Sequence, residues 1–218
     1  MALSLDYHEQ KPASGQPPKQ VILLLHGYGS NGRDLISLAP YFAKTAPNAL
    51  FISPDAPFPC EMGGGGFQWF SLAHYTPEAL IKGTKEATPI LQTFIDEILK
   101  KHNLEDENLI LIGFSQGTMM SLYVGPRRKN KIAGILGYSG ALIHENDLAD
   151  VQKPPICLVH GEADDVVTIN RYHDAVRDLK AAGFDVSGCA VPHLVHSIDE
   201  KGIMTGIEFI ESCIETKL

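Results

Sequence analysis

Apolar residues along this chain fall into two alternating kinds of stretch. The first is a short continuous run: Val21 to Leu25, Ala49 to Ser53, Leu109 to Gly113, Lys131 to Tyr138, Ile156 to His160 and Phe184 to Val191. Unbroken runs of this length predict strands buried on both faces of a parallel sheet. The second kind recurs at i, i+3, i+4. Asp34 to Lys44 carries Leu35, Leu38, Ala39 and Phe42 at that spacing, and Pro77 to Lys101 carries Ile90, Leu91, Phe94, Ile95, Ile98 and Leu99. Gln116 to Val124, Asn170 to Ala182 and Lys201 to Thr216 complete the predicted helices, with Gly183 where a left-handed C-cap belongs. Alternating strands and helices predict an α/β fold with a mostly parallel central sheet and helices on both faces. No internal repeat or long linker divides the chain, so residues 1–218 read as one domain. Residues 1–20 form an N-terminal extension, in which a short segment of edge-strand character precedes a Pro-, Gly- and Ser-rich entry loop from Lys11 to Lys19.

One segment breaks the alternation. Pro54 to Thr76 contains Pro57, Pro59, the run Gly63 to Gly66, and Trp69, the single tryptophan. Structureless loops beyond about 12–15 residues are usually functional or disordered. Phe67, Trp69, Phe70 and Tyr75 argue for order, so the loop is expected over a functional site; the competing reading is a surface loop packed on its own aromatics.

Composition narrows the function. The formal net charge is −8 over 218 residues, and phosphate attraction needs clustered cations, so nucleic acid is not an expected partner. The one basic cluster, Arg127, Arg128, Lys129 and Lys131, reads as a solvated helix end. Cys60, Cys157, Cys189 and Cys213 have neither metal-ligand nor C-x-x-C spacing, which suits a reducing compartment. Met1 to Gln10 holds acidic residues and no apolar core, unlike a secretory signal. No stretch reaches the ~20 apolar residues of a membrane helix, so no stable membrane insertion is expected. These features point to a soluble cytoplasmic protein.

The chemistry centres on Gly113-Phe114-Ser115-Gln116-Gly117, a G-x-S-x-G pattern between a strand run and a helix run. Such an elbow strains the serine, and the flanking glycines leave room where side chains would clash. Ser115 is thereby presented above the sheet as a nucleophile. The N-terminus of the following helix lies beneath it, where backbone N–H groups favour developing negative charge. Gly27, Gly29 and Gly32 also satisfy G-x-G-x-x-G, the dinucleotide fingerprint. The second strand, however, offers only the late Asp55 as its acidic partner.

An elbow serine needs an acid and then a base, in that chain order. After Ile156 to His160 come Glu162, Asp164 and Asp165. Asp164 is the preferred acid and Asp165 the runner-up, because periodicity does not separate neighbours and one of the two could simply cap the turn. After the last strand run come His193 and His196. His196 is preferred because it sits at the junction with the final helix. His26 and His160 each precede a glycine at a strand end and are expected to bond loop backbone near the site. The predicted oxyanion donors are the backbone N–H of Gln116 and one from the loop after the first strand run, Tyr28. No metal or cofactor is required.

Leu23 to Gly29 (L-L-L-H-G-Y-G), Gly113 to Gly117 (G-F-S-Q-G), His160 to Val167 (H-G-E-A-D-D-V-V) and His196 to Ile198 (H-S-I) resemble, in order and spacing, the phospholipase/carboxylesterase family of the α/β-hydrolase superfamily. That family includes bacterial carboxylesterases and acyl-protein thioesterases. The resemblance implies an α/β-hydrolase fold with minimal lid, Asp164 as acid, His196 as base and Tyr28 as oxyanion donor. It also implies an apolar acyl groove bordered by the W-F loop, with Trp69, Phe70 and Val167 as substrate-binding residues. Ser71 follows Trp-Phe where Asp is common, Asp165 stands where many relatives have Pro, and Val195 replaces a usual Gly. Relatives are often dimers, so a homodimer is an expectation carried by the resemblance alone.

The function expected is a carboxylesterase acting on short- to medium-chain acyl esters through Ser115, His196 and Asp164. Acyl-protein thioesterase or lysophospholipase activity on the same triad is the alternative, and acyl transfer to an alcohol is a further one. A non-catalytic binding module on a hydrolase fold is a distant reading, because no triad member is missing.

Overall fold

The computed structural model describes residues 3–215, so the end of the last predicted helix at Thr216 lies outside the described residues. In chain order the elements are β1 (Tyr7–Gln10), β2 (Gln20–Leu25), α1 (Gly32–Leu35), α2 (Ala39–Phe42), β3 (Ala49–Pro54), β4 (Phe58–Pro59), β5 (Phe67–Gln68), α3 (Pro77–His102), β6 (Leu109–Phe114), α4 (Gln116–Val124), β7 (Gly134–Tyr138), β8 (Ile156–Gly161), α5 (Ile169–Ala181), β9 (Val186–Val191) and α6 (Glu200–Glu215). Seven strands form one sheet in the order β1-β3-β2-β6-β7-β8-β9. β1 runs antiparallel to β3 at the edge, and the remaining neighbours are parallel.

The continuous apolar runs are explained by burial on both faces. On β2, Val21, Leu23 and Leu25 enter one core with residues of α3, α4 and α5, while Ile22 and Leu24 enter a second with residues of α1, α2 and α6. Side chains alternate across a strand, so a strand covered on both sides must be apolar throughout.

Three expectations are corrected. The helix predicted over Asp34 to Lys44 is three short pieces: α1, a 3-10 turn at Ile36–Leu38, and α2. Pro40 sits in the first turn of α2, where its missing N–H is tolerated but a continuous ladder is not. Pairing of β7 begins at Gly134 rather than Lys131, and β9 begins at Val186 rather than Phe184. Within the loop predicted from Pro54 to Thr76, β4 and β5 form a small antiparallel ladder.

Helix α6 matters for the site because it starts just after His196. It docks on β7 through small residues: Tyr138 Oη donates to the Gly202 carbonyl at 3.1 Å. A Cβ placed on Gly206 would stand 2.3 Å from Tyr138 Oη and 2.8 Å from Leu136 Cδ2. Overpacking a tight contact typically costs 1–3 kcal/mol, so Gly206→Ala is expected to lower unfolding stability by about that amount, measured as a shift of the urea midpoint.

Candidate active site

Ser115 is the N-cap of α4, with φ 54° and ψ −115°, outside the conformations that L residues ordinarily adopt. Its N–H donates to the Tyr138 carbonyl on β7 at 2.9 Å, which holds the turn to the sheet. The glycines on either side leave the space the elbow needs. A Cβ on Gly117 would lie 1.8 Å from the Leu25 carbonyl oxygen, and one on Gly113 would lie 2.4 Å from the Thr118 nitrogen. The strand-to-helix elbow expected from G-x-S-x-G is therefore present, with Ser115 at its apex.

The two acid candidates are separated by their surroundings. Asp164 is buried and Asp165 is exposed. Asp164 Oδ1 accepts the N–H groups of Val166 at 3.0 Å and Val167 at 2.8 Å, and its Oδ2 accepts from His196 Nδ1 at 2.8 Å. Burial pushes this carboxyl upward, but the His196 bond and the two N–H groups outweigh it and hold Asp164 below its ordinary range. A carboxylate accepts, so Nδ1 of His196 carries the proton in this bond, and Nε2 is the ring nitrogen not used by Asp164. The other base candidate, His193, sits exposed at a turn position with φ 62°.

Ser115 and His196 line one cavity of about 280 Å³ together with Gly27, Tyr28 and Gln116. Among the described residues Ser115 and His196 are not yet hydrogen-bonded; such bonds commonly close only around substrate. The Tyr28 and Gln116 N–H groups have no acceptor among the described residues, whereas those of Gly29, Ser30 and Ser115 are occupied. Apolar walls come from Leu35, Leu72, Met119, Val166 and Val167, with Tyr75 at the side.

Trp69 and Phe70 do not line this cavity, which corrects their expected role as groove residues. Both are buried, and the indole Nε1 donates to the His26 carbonyl at 3.0 Å. A tryptophan that finds an acceptor in the interior can be buried whole. The pair supports the loop from beneath, while Leu72 and Tyr75 of the same loop face the cavity.

The side chain that fastens this loop is Gln116, whose sequence signal pointed only to its backbone. Its Oε1 accepts from Trp69 N at 2.9 Å and its Nε2 donates to the Phe70 carbonyl at 2.8 Å. A second clamp was not legible in the sequence. Glu61 accepts from Ser71 Oγ at 2.6 Å, Tyr28 Oη at 2.8 Å and Leu72 N at 2.9 Å, so it ties the cavity wall to the Tyr28 loop. The Ser71 bond foremost, then those from Tyr28 and Leu72, lower the Glu61 carboxyl to about 2. Backbone pairing reinforces the join, because Gly29 N donates to Phe67 O and Phe67 N to Ser30 O, both at 2.8 Å.

His26 behaves as expected for a histidine that bonds loop backbone. Ala56 N donates to its Nε2 at 3.0 Å and its Nδ1 donates to the Gly27 carbonyl at 2.7 Å. The dinucleotide reading of this loop fails on geometry. Asp55 accepts the Gly32 N–H at 2.7 Å, which places a carboxylate at the helix start where a phosphate would have to sit. A larger hollow of about 700 Å³ lies beside residues 127–130. It holds no comparable set, and its Arg128 is taken up by Asp106 and Asp96. Among the described residues no cluster of three or more His, Cys, Asp or Glu could hold a metal ion, and no helix is long and apolar enough to cross a membrane.

Fold and site together define an α/β-hydrolase-type protein with a serine at its elbow. Residues 9–214 match the model of the phospholipase/carboxylesterase family. Acyl-protein thioesterase 1 of Gibberella zeae is 29% identical over 204 residues, covering 85% of this chain and 86% of that protein. Esterase YpfH of Escherichia coli is 27% identical over 202 residues, covering 91% and 85%. The crystal structure of esterase PE8 superposes with a TM-score of 0.91 at 33% identity, covering 96% of this chain and 99% of that one. The chain belongs to the phospholipase/carboxylesterase family and is a carboxylic ester hydrolase.

Replacing Gln116 by Leu would leave the Trp69 N–H and the Phe70 carbonyl buried without partners while keeping the Gln116 backbone N–H. Each lost partner typically costs about 1–3 kcal/mol. Gln116→Leu is therefore expected to lower the urea midpoint and to raise protease cleavage within residues 54–76, read by mass spectrometry of the fragments.

Proposed function

We propose that this protein is a serine carboxylesterase that cleaves short- to medium-chain acyl esters by way of an acyl-enzyme. The observation that carries the reading is the convergence on one cavity of a strained elbow serine and a histidine whose far nitrogen is held by a buried aspartate. In the first step Ser115 Oγ attacks the acyl carbon and its proton passes to His196 Nε2. Asp164 keeps the imidazole in the Nδ1–H tautomer and stabilises its charged form. The negative charge that develops on the carbonyl oxygen is received by the free N–H groups of Tyr28 and Gln116. His196 returns the proton to the leaving alcohol. Water, deprotonated by the same ring, then releases the acid and restores Ser115.

The acyl group is assigned to the wall formed by Leu35, Leu72, Met119 and Val167. The limited cavity volume, about 280 Å³, supports short and medium chains. The names of the thioesterase relatives favour a second reading, in which a thiol leaves in place of an alcohol on the same triad. A cytoplasmic setting is supported by Cys60, Cys157 and Cys189, which are thiols outside any disulfide.

Ser115→Ala is expected to abolish p-nitrophenyl ester turnover in a protein that still unfolds cooperatively; retained turnover would remove Ser115 from the scheme. Asp164→Asn should lower kcat by roughly 10⁴ in the manner of a mis-set tautomer, whereas Asp165→Asn should stay within a few fold of the parent. A chain-length series run in parallel on oxygen esters, thioesters and lysophospholipids tests the finer reading. Highest kcat/KM on oxygen esters of short or medium acyl chain is expected, and a maximum on long-chain thioesters would replace it with the thioesterase reading.

A further inference from the structure

His160 is the next-to-last residue of β8, four residues before Asp164, and is buried at 2% exposure. Its Nε2 lies 2.6 Å from the Val167 carbonyl oxygen. A carbonyl only accepts, so Nε2 carries the proton and points it at Val167. The same nitrogen is 3.4 Å from Asp164 Oδ2, the oxygen that receives His196 Nδ1. The peptide it grips belongs to the same turn whose Val166 and Val167 N–H groups bind Asp164 Oδ1. Burial foremost lowers the His160 pKa, so the ring is neutral and its single N–H is committed to this contact. The ring of Tyr172 of α5 lies beside it, tilted by 52° with centroids 6.0 Å apart. The ring therefore sits inside the acid turn with one donor and one direction for it.

We infer that His160 is a positioning residue, which fixes the 164–167 turn through the Val167 carbonyl and so aims the Asp164 carboxylate at His196. It takes no proton and touches no substrate. Without its N–H the Val167 carbonyl loses its donor, the two N–H groups that seat Oδ1 are free to turn away, and the Oδ2–Nδ1 bond loosens. The consequence falls chiefly on the chemical step, because the wall residues Leu35, Leu72 and Met119 lie outside this turn. This inference rests on the triad reading proposed above, with Asp164 as the orienting acid.

The test compares His160→Phe, which fills similar volume without a donor, with His160→Gln, whose side-chain amide reaches about as far as Nε2. Loss of a buried donor costs about 1–3 kcal/mol, so kcat of His160→Phe should fall by about 5- to 150-fold with KM changed less than about twofold. His160→Gln should recover most of that loss. The decisive measurement is a double-mutant cycle with Asp164→Asn. If His160 acts through Asp164, His160→Phe has almost no further effect on kcat in the Asp164→Asn background. An undiminished effect there, or His160→Phe equal to the parent enzyme, overturns the inference. Should His160→Phe fail to fold, His160→Asn, whose amide stops short of Val167, takes its place in the same cycle. The triad reading is judged separately by Asp164→Asn alone: parent-like turnover in that variant sinks the triad, whereas a dead Asp164→Asn beside a parent-like His160→Phe sinks only the role of His160.

Discussion

Helix α4 can follow β6 so abruptly because Gly117 presents only hydrogen to the Leu25 carbonyl, at a spot where a Cβ would stand 1.8 Å from oxygen. That approach fixes several things together. It holds the start of α4 against the end of β2, and β2 is where the Tyr28 loop begins. It forces Ser115 into a positive φ, with its N–H spent on the Tyr138 carbonyl. It leaves the Gln116 N–H, first in the helix, free beside the serine. Strain of this kind costs on the order of 1–3 kcal/mol and persists only where packing over-determines it. Here α4 is buried along its whole length between the sheet and α3.

Two further segments are tied to that elbow. The long loop from Pro54 to Thr76 hangs on it through the Gln116 side chain and is pulled toward the Tyr28 loop by Glu61 and by backbone pairing. Leu72 and Tyr75 consequently face the cavity, while Trp69 and Phe70 lie beneath it. On the other side, Asp164 and His196 follow the ends of β8 and β9, neighbours in the sheet, so the sheet order itself brings the carboxylate and the imidazole together. The docking of α6 on Tyr138 holds the segment after His196 in place.

Much of this was legible in the residues. Unbroken apolar runs marked the central strands because burial on both faces leaves no polar position, and β6 and α4 fall where those patterns ended. The elbow was legible because its glycines are demanded by close backbone approaches. The choice between Asp164 and Asp165 was not legible from periodicity; what favours Asp164 is its burial and the Val166 and Val167 N–H groups, which depend on the turn. Trp69 and Phe70 were misplaced because an aromatic in a loop looks alike in sequence whether it walls a groove or fills the space below one. The His26 carbonyl that receives the indole lies 43 positions away along the chain. Glu61 gave no signal either, since a carboxylate that gathers Ser71, Tyr28 and Leu72 is defined by contacts across the loop. Pro40 was present in the predicted first helix, and its missing N–H is the reason that helix is divided.

On the proposed triad, one serine, at the elbow, carries the chemistry of this family member. Treatment of the native protein with a fluorophosphonate, followed by peptide mapping, reads that claim at the residue itself. One adduct per chain is expected, on Ser115, formed in step with loss of esterase activity. An adduct on any other residue, or full inactivation with Ser115 unmodified, would contradict it.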